Sequence, residues 1–566
     1  MRSALWRRVG ALVASLALLA VLVVASPVLA AGITVNSLAD TAADDGVCTL
    51  REAIASANSD TTSGATAGEC AAGAGADTIT FSVAGTITLA SGLPPIASDV
   101  VVDGANAITV DGNSSTRVVE VQAGHSAVLS GITISGGSDA LGGGILNDGQ
   151  LTLSDSTITG NQASLIGGGL QNTGTATVTN TTFSGNSAVV GGAINSTGTL
   201  TITGSAIVGN SAGNFGGGIE NDGGVLTMTD STIAGNSTGN IGAGIDSNNG
   251  TVTVVGSTFT NNTPGNGGGA LALFGGTADL GNVTVAFNAE DQIGIVGATA
   301  VIRNATVIGG DIGILASGSE TVIGSLIAGN TIDVLDSIET STANLVGVPG
   351  GMALADILDS DGLADNGGPT ETIALTMAAG NPAIDAGDSA TCAAAPISGV
   401  DQRGMPRPAA CDIGAYEAQP PTIAAHADVS AAATSAAGAA VAYTPPVGTD
   451  EQGGTATVGC IPASGSTFAV GSTTVTCTAT DAVGHTVVGT FRVVVAAFAA
   501  PTVSASPAPT PAASQLPDTS GGAGGSGGSA LLAMFALLSL ATTGMGMARS
   551  RRSRRPAMVE GGRHRR

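Results

Sequence analysis

Glu220 and Asp246 are the residues of this chain whose types and spacing could do chemistry. The equivalent positions after successive glycine clusters read Leu146, Gln171, Asn195, Glu220 and Asp246, so the two carboxylates fall on neighbouring repeats. Stacked as neighbouring strands they would lie about 5 Å apart. Two carboxyl groups that cleave a glycosidic bond stand roughly 5 to 9 Å apart. A chain with 42 acidic residues also places some of them side by side by chance, so incidental stacking is a strong competing reading of the pair. Asp148 and Asp222 lie in "NDG" stretches and read as turn formers. With Glu220 they would offer calcium an all-oxygen site. No zinc or nucleophile constellation stands beside them. His125, His426, His485 and His564 are scattered, no cysteine pair has CxxC spacing, and "GGGILNDG" lacks the lysine and the strand-to-helix context of a phosphate loop.

The elements that must position these residues repeat. Asn161, Asn186, Asn210, Asn236, Asn262 and Asn288 follow one another at steps of 24 to 26 residues. A period of that size is the mark of a solenoid. Leu153, Val178, Ile202, Met228, Val254, Leu280 and Ile302 form one apolar column. Five residues later Ile158, Phe183, Ile207, Ile233, Phe259, Val285 and Val307 form a second. Around them runs a period-two alternation, as in "LTLSDSTI" and "LTITGSAI", which specifies half-buried strands. One unit cannot bury its inner face alone, whereas stacked units do. The expected fold class is all-β: a right-handed parallel β-helix, a pectate-lyase-like solenoid of about ten coils of 20–26 residues, followed by an immunoglobulin-like β-sandwich. The asparagine column is expected at a tight bend with positive φ, its amides hydrogen-bonding from coil to coil. The glycine clusters at 142–144, 167–169, 216–218 and 267–269 mark a second bend, where a Cβ would meet the next coil.

Composition narrows the function. Glycine is abundant at 87 residues, while charged residues are 10% and aromatics 2%, which argues against an ordinary α/β enzyme. There is no lysine, and the arginines cluster near the two ends. The acidic body between would repel nucleic acid and anionic lipid. Residues 1–30 have a basic start, an apolar core and small residues at Val28 and Ala30, the pattern of a secretory signal peptide. In an oxidising compartment the six cysteines are expected to pair in sequence: Cys48 with Cys70, Cys392 with Cys411, Cys460 with Cys477.

The chain then divides into an N-terminal cap with a short helix at 31–76, the β-helix at 77–364, a C-terminal cap region at 365–419 and a β-sandwich at 420–497. A Pro/Ser/Gly-rich spacer follows at 498–529, then an apolar run at 530–548, long enough to span a bilayer, and a basic tail at 549–566 that would stay cytoplasmic. Four segments resemble known families. "TVNSLADTAADDGVCTLREAIASAN" resembles the CSLREA-type segment that precedes extracellular β-helices, with Thr49 where serine is usual. "NPAIDAG", "DQRG" and "CDIGAYE" resemble the choice-of-anchor region paired with them. "GSTTVTCTATDAVG" is similar to the HYR domain, an immunoglobulin-like adhesion module. "LPDTS" with its apolar run and arginine tail resembles an LPXTG sorting signal, with Ser520 where glycine is expected. That resemblance implies a sortase that acts at Leu516, Pro517, Asp518 and Thr519 and cleaves after Thr519. Without a sortase, the apolar helix alone would anchor the chain in the membrane.

Together these features predict a secreted protein anchored to the cell surface, non-enzymatic, with a glycan or a surface protein as its partner, no nucleic acid partner and no cofactor beyond calcium. The rival expectation is a secreted polysaccharide hydrolase using Glu220 and Asp246. A lyase on such a fold would need a cationic base, yet Arg303 is the only arginine between positions 118 and 402.

Overall fold

The computed structural model describes residues 31–498. The signal sequence, the sorting motif, the apolar run at 530–548 and the basic tail lie outside the described residues. Among the described residues no helix is long and apolar enough to cross a membrane.

The chain winds as a parallel β-helix with three long stacks of strands and a fourth, shorter one made of Ser138–Leu141, Gln162–Ile166, Ser187–Val190, Ser211–Phe215 and Ser237–Thr238. Representative coils of the first stack are Leu170–Asn172, Ile194–Ser196, Ile219–Asp222 and Ile245–Asn248, paired in parallel. The second stack contains Thr175–Thr179, Thr199–Thr203, Val225–Thr229 and Thr251–Val255. The third contains Thr182–Ser184, Ala206–Val208, Thr232–Ala234 and Thr258–Thr260. Both apolar columns face inward and are fully buried from Leu153 to Ile302 and from Ile158 to Val307. Register explains this: Val178 sits between Leu153 and Ile202, and Phe183 between Ile158 and Ile207. A one-residue slip would turn each column to solvent, so the repeat itself locks the pairing.

The boundaries differ from the expected ones. Gly32–Val35 pairs in parallel with Asp77–Phe81, so the first coil begins inside the segment read as a cap at 31–76. The helix Leu50–Ser59 is an insertion in that coil. Its capping box is present: Glu52 N donates to Thr49 Oγ1, and Thr49 N donates to Glu52 Oε2. Leu50, Ala53 and Ile54 join the same core as Ile33 and Val35. At the other end the parallel coils finish with Thr340–Thr342 and Leu345–Val346, before position 364. Leu358–Ala364 then pairs antiparallel with Thr372–Leu375, and Ile357, Leu358, Ile373 and Leu375 join a separate apolar cluster with Ala286, Ile308 and Leu326 on the outer side of the third stack.

The asparagine column also departs from expectation. None of its members has positive φ. The residue before each takes that conformation instead: Gly160, Gly185, Gly209 and Gly235 at 63–64°, then Asn261 at 56° and Phe287 at 59°. The left-handed turn aims the next side chain inward, where Asn161 to Asn288 are buried. Each amide donates Nδ2–H to the Oδ1 of the next coil, at 2.8–3.0 Å. Gln292 ends the ladder by accepting from Asn288 Nδ2.

Disulfides join Cys48 with Cys70, Cys392 with Cys411 and Cys460 with Cys477. Beyond the cap, a six-stranded and a two-stranded sheet form the C-terminal β-domain, around Tyr443, Phe468, Val475, Phe491 and Val493.

Candidate functional site

Gly216 and Gly242 set the geometry of the acidic pair. Each enters the first stack at positive φ, 59° and 67°, and a Cβ on either would lie within 2.6 Å of Glu220 N or Asp246 Cβ. The bend thus folds directly over the second residue of the strand that follows. Gly167 and Gly191 do the same above Gln171 and Asn195. Register aligns Gln171 with Asn195, Asn195 with Glu220, and Glu220 with Asp246. The four side chains make a stripe on consecutive coils, about 4.8 Å apart.

All four are buried, at 3%, 4%, 6% and 3% exposure, and each keeps an oxygen without a hydrogen-bond partner: Gln171 Oε1, Asn195 Oδ1, Glu220 Oε2 and Asp246 Oδ1. Unpartnered buried acceptors are rare because each costs about 1–3 kcal/mol. No arginine or histidine among the described residues forms an ion pair with either carboxylate. Burial pushes the Glu220 carboxyl up to about 9, with the charges of Asp246 and Asp222 adding to it. Burial followed by the Asp222 charge pushes Asp246 up to about 7. At neutral pH the pair therefore holds at least one proton.

Asp148 does not belong to this site. The alignment of Asn147 with Asn172, Ser196 and Asn221 sets it three coils from Asp222, roughly 14 Å away. It accepts instead from Thr173 Oγ1 at 2.5 Å, and Asp222 accepts from Asn248 Nδ2 at 3.3 Å.

The raised pKa values give a pH prediction. The folded chain keeps protons on Glu220 and Asp246 that the unfolded chain releases near pH 4, so their contribution to stability falls as pH rises from about 4 toward 9. Glu220→Gln is expected to flatten that fall by a few kcal/mol in chelator-treated buffer. Urea unfolding at a series of pH values reads it, and an unchanged profile would contradict the assignment.

Two features went unread in the sequence. A second inward ladder links Asn147 to Asn172 and Asn172 to Ser196, and Asn221 to Ser247. A third runs through Ser156, Thr181, Ser205, Ser231 and Ser257, each hydroxyl accepting a backbone N–H from the coil before. The "DQRG…CDIGAYE" region is likewise a docking network rather than a reactive site. Gln402 bonds Thr258, Thr284 and Thr370, and Arg407 reaches Asn282, Gly414 and Glu417. Arg403 pairs with Asp401 and, across to the C-terminal domain, with Glu451.

Residues 417–495 match the HYR domain family. No curated protein matches the chain. Among solved structures, the crystal structure of pectate lyase Pel9A aligns at 12% identity with a TM-score of 0.40, over 69% of this chain and 98% of that one. A HYR domain joined to a disulfide-bonded β-helix fits an extracellular or surface protein.

Proposed function

We propose that this chain is a surface-displayed, non-enzymatic protein that binds extracellular glycan along its β-helix, in an adhesive role. The observation that carries the reading is the outward face of the second stack. On the four coils from 175 to 255, every outward position is threonine except Val225 and Val255, and none carries a charge. The residues recur about 4.8 Å apart across coils and about 6.6 Å apart along a strand. Such a face offers hydroxyl donors and acceptors beside methyl groups, the complement of an extended, uncharged, polyhydroxylated chain. The HYR domain and the spacer at 498–529 would hold this rod away from the cell. Attachment would run through the motif at 516–519 or the apolar run at 530–548.

The double substitution Thr201→Arg/Thr227→Arg places two long charged side chains in the middle of the face. It is expected to lower retention on an immobilised neutral polysaccharide at least about tenfold, or roughly 1.4 kcal/mol, without changing the unfolding temperature. Retention equal to that of the parent would place binding elsewhere.

A second reading, a polysaccharide hydrolase, draws support from two aligned carboxyls whose environments hold their pKa values apart, as an acid and its partner require. Against it, both groups lie beneath the glycine bends, 94–97% buried as the exposures of 6% and 3% imply. A substrate oxygen must come within hydrogen-bond reach of such a group.

A further inference from the structure

We propose that Asn195, Glu220 and Asp246 bind a hard divalent cation, calcium, centred on the coil of Glu220. This site is independent of the threonine face, which belongs to a different stack. Asn195 lies one coil before Glu220 in register and Asp246 one coil after, all on the same outward column. Each contributes one buried oxygen that no protein group satisfies. Protonation can quiet a carboxylate, but it does nothing for the Asn195 amide oxygen, which needs a donor or a cation. Gln171 repeats the same unsatisfied amide one coil further out.

The chemistry of the set selects the ion. All the available ligands are oxygen, with no imidazole or thiolate among them, which favours calcium or magnesium over transition metals. Ligands drawn from three successive coils cannot be forced into a tight octahedron. Calcium accepts six to eight oxygens in flexible geometry and takes the remainder from water. Asp222, two residues beyond Glu220 at the exposed end of its strand, adds negative charge at the mouth. An affinity of about 10⁻⁴–10⁻³ M, usual for extracellular calcium modules, is in keeping with so few protein ligands.

Calcium titration calorimetry and thermal unfolding of the full chain, after chelator treatment, test this. The parent is expected to bind calcium in that range, prefer it to magnesium, and unfold at a higher temperature when it is present. Glu220→Gln and Asp246→Asn are near-isosteric and remove like charge from a buried place. Each is therefore expected to fold, to be more stable than the calcium-free parent, and to bind at least tenfold more weakly. Asn195→Asp adds a carboxylate and is expected to tighten binding while lowering stability without calcium. Asp336→Asn, at an exposed position, is expected to behave as the parent. A parent without a calcium response at 10 mM overturns the proposal, as does a Glu220→Gln/Asp246→Asn double variant that responds as the parent does.

Discussion

Arg407→Ala is expected to destabilise the junction between the β-helix and the C-terminal domain by about 3–5 kcal/mol, the cost of breaking a buried ion pair from one side. The side chain is fully buried, as is that of Glu417, its partner at 2.7 Å. Its guanidinium also donates to Gly414 O at 2.7 Å, to Asp412 O and Asn282 Oδ1 at 3.2 Å, and to Val400 O at 3.2 Å. Alanine would leave those acceptors dry and a buried carboxylate uncompensated. It would also cut the tie to Asn282, which anchors the cap to the β-helix. Arg407→Met/Glu417→Gln removes both charges and is expected to recover a good part of the loss. The two tyrosines, Tyr416 and Tyr443, lie in the cap and the HYR domain, so urea unfolding followed by tyrosine fluorescence reports on this region. A loss below about 1 kcal/mol would show that the network is not what holds the cap.

The second large effect is expected inside the solenoid. Asn210 Oδ1 accepts from both the backbone N–H and Nδ2 of Asn186, each at 2.9 Å, while its own Nδ2 donates to Phe183 O and Asn236 Oδ1. Asn210→Ala orphans two N–H donors of Asn186 and removes one of the two donors to Asn236 Oδ1, which keeps the backbone N–H of residue 210. At about 1–3 kcal/mol for each buried group left unpaired, a loss of roughly 4 kcal/mol is expected. Asn210→Asp keeps the acceptor role toward Asn186 but sets a carboxylate against Asn236 Oδ1, so it is expected to be no better at neutral pH. Thermal unfolding followed by far-ultraviolet circular dichroism measures both. Because coils are coupled only to their neighbours, the loss should spread to the whole β-helix if the ladder carries cooperativity. A variant within 1 kcal/mol of the parent would reduce the column to packing.

How much of this was legible follows from what repeats. The columns headed by Leu153 and Ile158 were readable because seven coils restate each position, and the same arithmetic put Glu220 beside Asp246. The ladder of Asn161 and its successors was readable as hydrogen bonding but not in its backbone. An asparagine near a bend suggests positive φ, yet the residue before it, glycine on four of the six coils, absorbs the turn and frees the amide to point inward. Asn147 and Asn221 stand in the "NDG" stretches that read as turns through Asp148 and Asp222, and that turn signal masks the inward strand position of the asparagine. Their period was visible, and so was the Ser/Thr column at Ser156, Thr181 and Ser205. The first coil was hidden because 41 residues, cap helix included, separate Val35 from Asp77, which breaks the period. The contacts of Arg407 with Asn282 and of Gln402 with Thr258 and Thr284 could not be read, for these partners lie more than 100 residues away with no repeat to announce them. The burial of the acidic pair was likewise invisible. It depends on where the bends at Gly216 and Gly242 place the chain, not on residue type.

The central claim is that the β-helix holds glycan without cutting it. The most direct measurement incubates the full chain with a panel of plant, algal and bacterial polysaccharides, with and without calcium, recording retention and the release of reducing ends together. The account predicts retention of at least one neutral polysaccharide with no reducing ends released above the blank. Release of reducing ends that Glu220→Gln abolishes would contradict it and make Glu220 and Asp246 the catalytic pair of a hydrolase.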